Sequence, residues 1–192
     1  MATLFALCVA PAFAFGGSAS NLPAFLLKKG DESGYVRQGQ VQTGTGASAW
    51  ANAIDTNTSS AADIKRWQSE GLVAGATVQL TTPGGNEGVS WVEQFKSSAS
   101  AKREAAYDFS TNIQPTKTAR VTKFSVPGVP QAKGYAYSSN AKHAKPTADN
   151  VLWTEGTCAL LLGNYDPSGL STSSIAKAVT KIYRRTGRTC PS

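Results

Sequence analysis

Apolar positions along this chain recur with two spacings, and the switches between them predict its elements. Spacings of three and four mark helices, and a spacing of two marks strands. Ser60-Ala61-Ala62-Asp63 has the hydroxyl-then-acid opening of a helix, Ile64 and Trp67 share one face, and Gly71 supplies a left-handed stop. Thr77 to Thr81 alternates, Pro83-Gly84-Gly85-Asn86 turns, and Val89 to Phe95 runs back, which makes a hairpin. Ser98 or Ser100 then caps a second helix. Ala101, Ala105, Phe109 and Ile113 form its inner stripe, while Lys102, Arg103, Glu104 and Asp108 point mostly elsewhere. Pro115 ends it.

Four further strands are expected at 121–126, 134–138, 151–154 and 158–162. Pro127-Gly128-Val129-Pro130, a lysine-rich loop and the two-residue turn Glu155-Gly156 separate them. A last helix runs from about Ser173 to Arg185, with Ile175, Val179 and Ile182 on one face and Lys177, Lys181, Arg184 and Arg188 on the other. The order α-β-β-α-β-β-β-β-α predicts an α+β fold: a largely antiparallel sheet of about six strands flanked by three helices, covered on at least one face.

The first 14 residues carry no charge and end in Ala12-Phe13-Ala14, a small-x-small pattern that predicts an export signal cleaved before Phe15. At that length the run is too short to span a bilayer, which takes about 20 residues. It lacks the basic start usual in such signals, the first basic residue being Lys28. Cys8 follows Phe5-Ala6-Leu7, with no small residue just before it as a lipid-anchor site requires. Residues 15–59 read as an extended, loop-rich segment in which Leu22-Pro23-Ala24-Phe25-Leu26-Leu27 docks on the core. Within it, 39–59 is rich in Gly, Thr, Ser, Ala and Asn and reads as a long loop or partly ordered meander anchored by Val41, Trp50 and Ile54. Residues 60–192 read as a single α+β domain.

The run Gly88-Val89-Ser90-Trp91-Val92-Glu93-Gln94-Phe95-Lys96-Ser97 precedes an Ala-rich helix, and Phe124-Ser125-Val126-Pro127-Gly128-Val129-Pro130 and a strand–strand–helix ending follow. Together these resemble uncharacterised secreted or lipid-anchored actinomycete proteins, whose sandwich is similar to that of the PsbP-like extrinsic photosystem proteins. The resemblance implies an extracytoplasmic accessory or binding module, with no catalytic residues to carry over.

Composition adds a direction. Charged residues make up only 16% of the chain, against about a quarter in typical domains, so Ser, Thr, Gly, Asn and Gln dominate the surface, as in many exported proteins. The net charge of +7 favours anionic partners, and most of the basic excess lies after residue 100. Lys142 and Lys145 in the loop, with Lys177, Lys181, Arg184 and Arg188 on the last helix, are the expected anionic-ligand residues. An envelope protein, a lipid or an anionic wall polymer fits such a face. Nucleic acid fits only if the chain is not exported, with Tyr135, Tyr137 and Trp153 as stacking residues that alternation places more readily in a core.

Candidate chemistry is sparse. Removing the signal leaves Cys158 and Cys190, an even pair that predicts a disulfide in an exported chain. The lone His143, between Lys142 and Ala144, lacks the partners that a structural zinc site or a general base requires. No metal site or cofactor is implied. There is no Gly-x-Ser-x-Gly elbow, and Gly84-Gly85 sits in a hairpin, not in a strand-to-helix phosphate loop. Asp149, Glu155 and Asp166 lie at the ends of the last hairpin and are the one carboxylate set that could serve a wall hydrolase. A non-catalytic envelope module is the leading expectation, with hydrolysis of wall carbohydrate or ester, and anionic-polymer or nucleic-acid binding, as alternatives.

Overall fold

The computed structural model describes residues 19–54, 61–187 and 190. The expected export signal at 1–14 and the expected ligand residue Arg188 lie outside these. Among the described residues the chain builds one antiparallel sheet of seven strands, β1 (Val36–Thr45), β2 (Leu72–Thr81), β3 (Glu87–Phe95), β4 (Ala119–Ser125), β5 (Lys133–Ser139), β6 (Pro146–Glu155) and β7 (Cys158–Tyr165). Their spatial order is β1-β2-β3-β7-β6-β5-β4. Four α-helices accompany them: α1 (Gly46–Ile54), α2 (Ala61–Glu70), α3 (Ser98–Asn112) and α4 (Thr172–Arg185), after an initial 3-10 turn over Ala19–Phe25.

Both faces of the sheet are covered. Even positions of β7 (Leu160, Leu162) pack with Val151 and Trp153 of β6 against Ile175, Val179 and Ile182 of α4, and Leu22, Leu26 and Leu27 join the same core. Odd positions face the other way, where Ala159 meets Trp50, Trp67, Phe95 and Ala101, and Leu161 meets Tyr135 and Leu152. This double burial explains why β7 reads as an unbroken apolar run rather than an alternation. Cys158 and Cys190 are joined, which ties the start of β7 to the chain beyond α4.

The fold class matches the expectation, with corrections of detail. Of the segment expected as a loop or meander at 39–59, the described residues 39–54 hold most of β1 and all of α1. β1 is an edge strand whose residues are mostly exposed, so no apolar alternation marks it, and it is held by backbone pairing with β2. In α1, Ala47, Trp50 and Ala51 are buried at helical spacing. The helix lies so close to β1 that a Cβ on Gly44 would meet the Ala49 backbone at 2.5 Å. The cap of α3 is Ser97, whose hydroxyl accepts from the Ser100 amide at 3.1 Å. The last hairpin turns on Gly156-Thr157, one residue later than expected, because Glu155 pairs with Cys158 and Gly156 takes the positive φ of 57°.

Candidate functional site

The side chains of α4 that face away from the core form one wall of a groove of about 950 Å³. Asp31, Glu32 and Ser33 make the opposite wall, and Phe124, Ser125 and Pro127 close it at the end of β4. Lys177, Lys181 and Arg184 line it at helical spacing, and the hydroxyls of Ser171, Thr172, Ser173 and Ser174 crowd its other end at the start of α4. Three of the expected anionic-ligand residues are therefore brought together. Lys142 and Lys145 are exposed on the β5–β6 loop and do not line the groove. Lys145 instead packs beside Gly169, ahead of α4.

The facing wall is strapped to α4. Lys181 Nζ donates to Gly30 O at 2.9 Å, Arg185 pairs with Asp31 and donates to Leu26 O at 2.9 Å, and the Lys28 amide donates to Asp31 at 2.7 Å. Arg37 Nε reaches back from β1 to Leu27 O at 2.7 Å. These bonds hold the 26–33 segment as a fixed rim.

The three carboxylates at the ends of the last hairpin do not converge. Asp149 and Glu155 are six residues apart on the extended strand β6, a span of about 20 Å. Glu155 is occupied, accepting from Trp153 Nε1 at 2.9 Å and Thr186 Oγ1 at 2.6 Å. Asp166 accepts from the amide and hydroxyl of Ser168, which hold its carboxyl below the ordinary range.

Two carboxylate groups flank the sheet instead, and of their members the sequence pattern singled out only Asp149. On the α1–α3 face, Glu93 of β3 and Glu104 and Asp108 of α3 place one oxygen each within 4.8 Å of one another. Trp50 Nε1 donates to Glu93 at 2.7 Å, and Trp67 Nε1 and Arg66 Nη2 both donate to Glu104 at 2.8 Å. Arg66 also pairs with Asp63 and lies 4.0 Å over the Tyr107 ring. Burial, with the charge of Glu104 beside it, pushes Asp108 up to about 7 and raises Glu93 well above its ordinary value. Glu104 and Asp108 thus turn inward, contrary to the expected stripe, since α3 packs on β3, β6 and β7 with few large apolar residues. One signal was present: Glu93 shares the strand parity of Trp91 and Phe95.

On the α4 face, Asp149 and Asn164 oppose each other across β6 and β7, and Asn164 Nδ2 donates to Glu32 at 3.0 Å. Burial raises Glu32 and pushes Asp149 up to about 8, with the charge of Glu32 adding to the latter. Tyr35, above the same cluster, is raised by burial and by these neighbouring charges. His143 is exposed in the β5–β6 loop at φ 62°.

No protein-family model and no curated protein matches the chain. Among solved structures it is similar to the extracellular domain of PknH from Mycobacterium tuberculosis, at 13% identity and a TM-score of 0.55, covering 88% of this chain and 97% of that one. At that identity the likeness is one of fold, and it extends over nearly the whole of the mycobacterial domain.

Proposed function

We propose that this chain is a secreted, non-catalytic module of the cell envelope that binds an anionic ligand in the groove between α4 and the 31–33 rim. The observation that carries the reading is the convergence of Lys177, Lys181 and Arg184 on a single groove whose far end is rich in hydroxyls. The signal-like N-terminus, the Cys158–Cys190 bridge and a fold shared with an extracellular domain support export. No helix among the described residues is long and apolar enough to cross a membrane. Phe124, Pro127 and Ala176 add apolar lining beside the cations, which suits a phosphate or carboxylate carried on an apolar body, as in a lipid headgroup, better than a bare polymer.

The test is sedimentation with vesicles of phosphatidylglycerol against vesicles of phosphatidylcholine, alongside a soluble polyphosphate. Wild-type protein should bind the anionic vesicles, and the Lys177→Glu, Arg184→Glu double variant should lose that binding while keeping its thermal midpoint. A preference for the soluble polymer would move the ligand from lipid to wall polymer. Equal binding by the double variant would sink the groove as the site.

A further inference from the structure

Buried oxygen atoms without a donor are rare in folded proteins, because each forfeits its hydration with nothing in return. Four such atoms gather on three neighbouring residues, Glu32 Oε2, both carboxylate oxygens of Asp149 and Asn164 Oδ1, whereas Glu93 Oε2 and Thr157 Oγ1 stand singly elsewhere. None of the three side chains is more than 4% exposed. They come from separate parts of the chain: the rim before β1, β6 and β7. Gly88 of β3 lies opposite Asn164, and a Cβ there would come within 3.0 Å of Asn164 Oδ1 and 2.8 Å of Gly163 O. The strand is therefore kept bare where these oxygens gather.

The contrast with the opposite face decides what they hold. There Arg66 binds Glu104 through two nitrogens and pairs with Asp63, so a protein cation already sits among the acids. At Glu32 and Asp149, no lysine or arginine forms an ion pair among the described residues. The groups that face the two carboxylates are Asn164, the Ser174 hydroxyl at the start of α4, and the Tyr35 phenol. Asn164 and Ser174 face the carboxylates as neutral donors that also carry an oxygen each, and none of the three groups brings positive charge.

We propose that Glu32, Asp149 and Asn164 form a binding site for one hard divalent cation of the calcium class. Two carboxylates balance its charge, and carboxylate and amide oxygens with water completing the shell are the ligand set such an ion takes. Glu32 lines the groove, which gives the ion a path from solvent. Bound there, the ion joins the rim to β6 and β7, and so fixes the wall opposite Lys177 and Lys181. The site stands without the anionic-ligand reading, since none of its residues is among those cations.

The experiment is thermal unfolding of the chelator-treated, oxidised chain titrated with calcium chloride, paired with terbium luminescence excited through tyrosine. A ligand that binds only the folded state raises the midpoint progressively with its concentration, so a saturable rise in the millimolar range or below is expected, with terbium emission that calcium quenches. Asp149→Asn and Glu32→Gln should each abolish both signals. Asp149→Asn removes a buried charge and nearly keeps its shape, and near-ultraviolet dichroism checks that it is folded. No midpoint shift in the wild type overturns the proposal. So does a shift that survives in Asp149→Asn, and if that shift is lost in Glu93→Gln the ion lies in the other carboxylate cluster.

Discussion

Gly75 of β2 lies directly beneath the indole of Trp50: a Cβ at position 75 would fall 2.4 Å from ring atoms Cδ2 and Cε3. The same indole donates through Nε1 to Glu93 at 2.7 Å, so one side chain of α1 fills a gap in β2 and caps a buried acid on β3. Gly75→Ala must displace the ring or the strand, a kind of overpacking that costs about 1–3 kcal/mol. The midpoint of urea denaturation should fall accordingly. An unchanged midpoint would mean that Trp50 is not seated on the sheet.

The acids of the α1–α3 face predict how stability varies with pH. Asp108 keeps its proton up to about pH 7 when folded, against an ordinary value of 3.8. Between those values the folded chain binds more protons than the unfolded one, so stability falls as pH rises through the window and levels off above it. One such group gives a slope of at most about 1.4 kcal/mol per pH unit. Thermal midpoints should therefore decline from pH 4.5 to 7, and Asp108→Asn should flatten the decline. A variant with the wild-type slope would remove Asp108 as its source.

The sequence was legible where burial is one-sided or complete. The stripe of Ile175, Val179 and Ile182 on α4 and the apolar run of β7 announce themselves, because each is read against a period that its partners enforce. β1 and α1 were not legible, since Gln38, Gln40, Gln42 and Thr43 give an edge strand no apolar face and Ala and Ser give α1 little contrast. Glu104 and Asp108 were misread because helical periodicity sorts residues by polarity, whereas here Arg66 and Trp67 supply the donors that let Glu104 turn inward, with Asp108 one turn on beside it. The groove cations could be read from the helix, but their convergence with the 31–33 rim is a tertiary fact.

Reduction of the Cys158–Cys190 bridge should destabilise the fold without dissolving it. The bridge closes a loop with a sequence separation of 32, for which chain entropy gives about 3–4 kcal/mol. Both sheet faces remain packed when it opens, so Cys190→Ser should give a cooperative transition at lower urea with unchanged far-ultraviolet dichroism. Loss of cooperativity would mean that the bridge organises the core.

Arg185 makes the one ion pair that ties the rim to α4 among the described residues. Arg185 pairs with Asp31 and also donates to Leu26 O, while Lys181 reaches Gly30 O, so α4 holds the segment that contains Lys28 and Lys29. Arg185 is 27% exposed and Asp31 only 11%, so removing the cation leaves a carboxylate largely shielded from water with the Lys28 amide but no charge partner, at a cost of about 1–3 kcal/mol. Local opening then becomes easier than global unfolding. Trypsin should cut Arg185→Gln at Lys28 or Lys29 several times faster than it cuts the wild type, while the global midpoint shifts little. Equal rates at that site would show that the leucines at 22, 26 and 27, and not the ion pair, keep the rim in place.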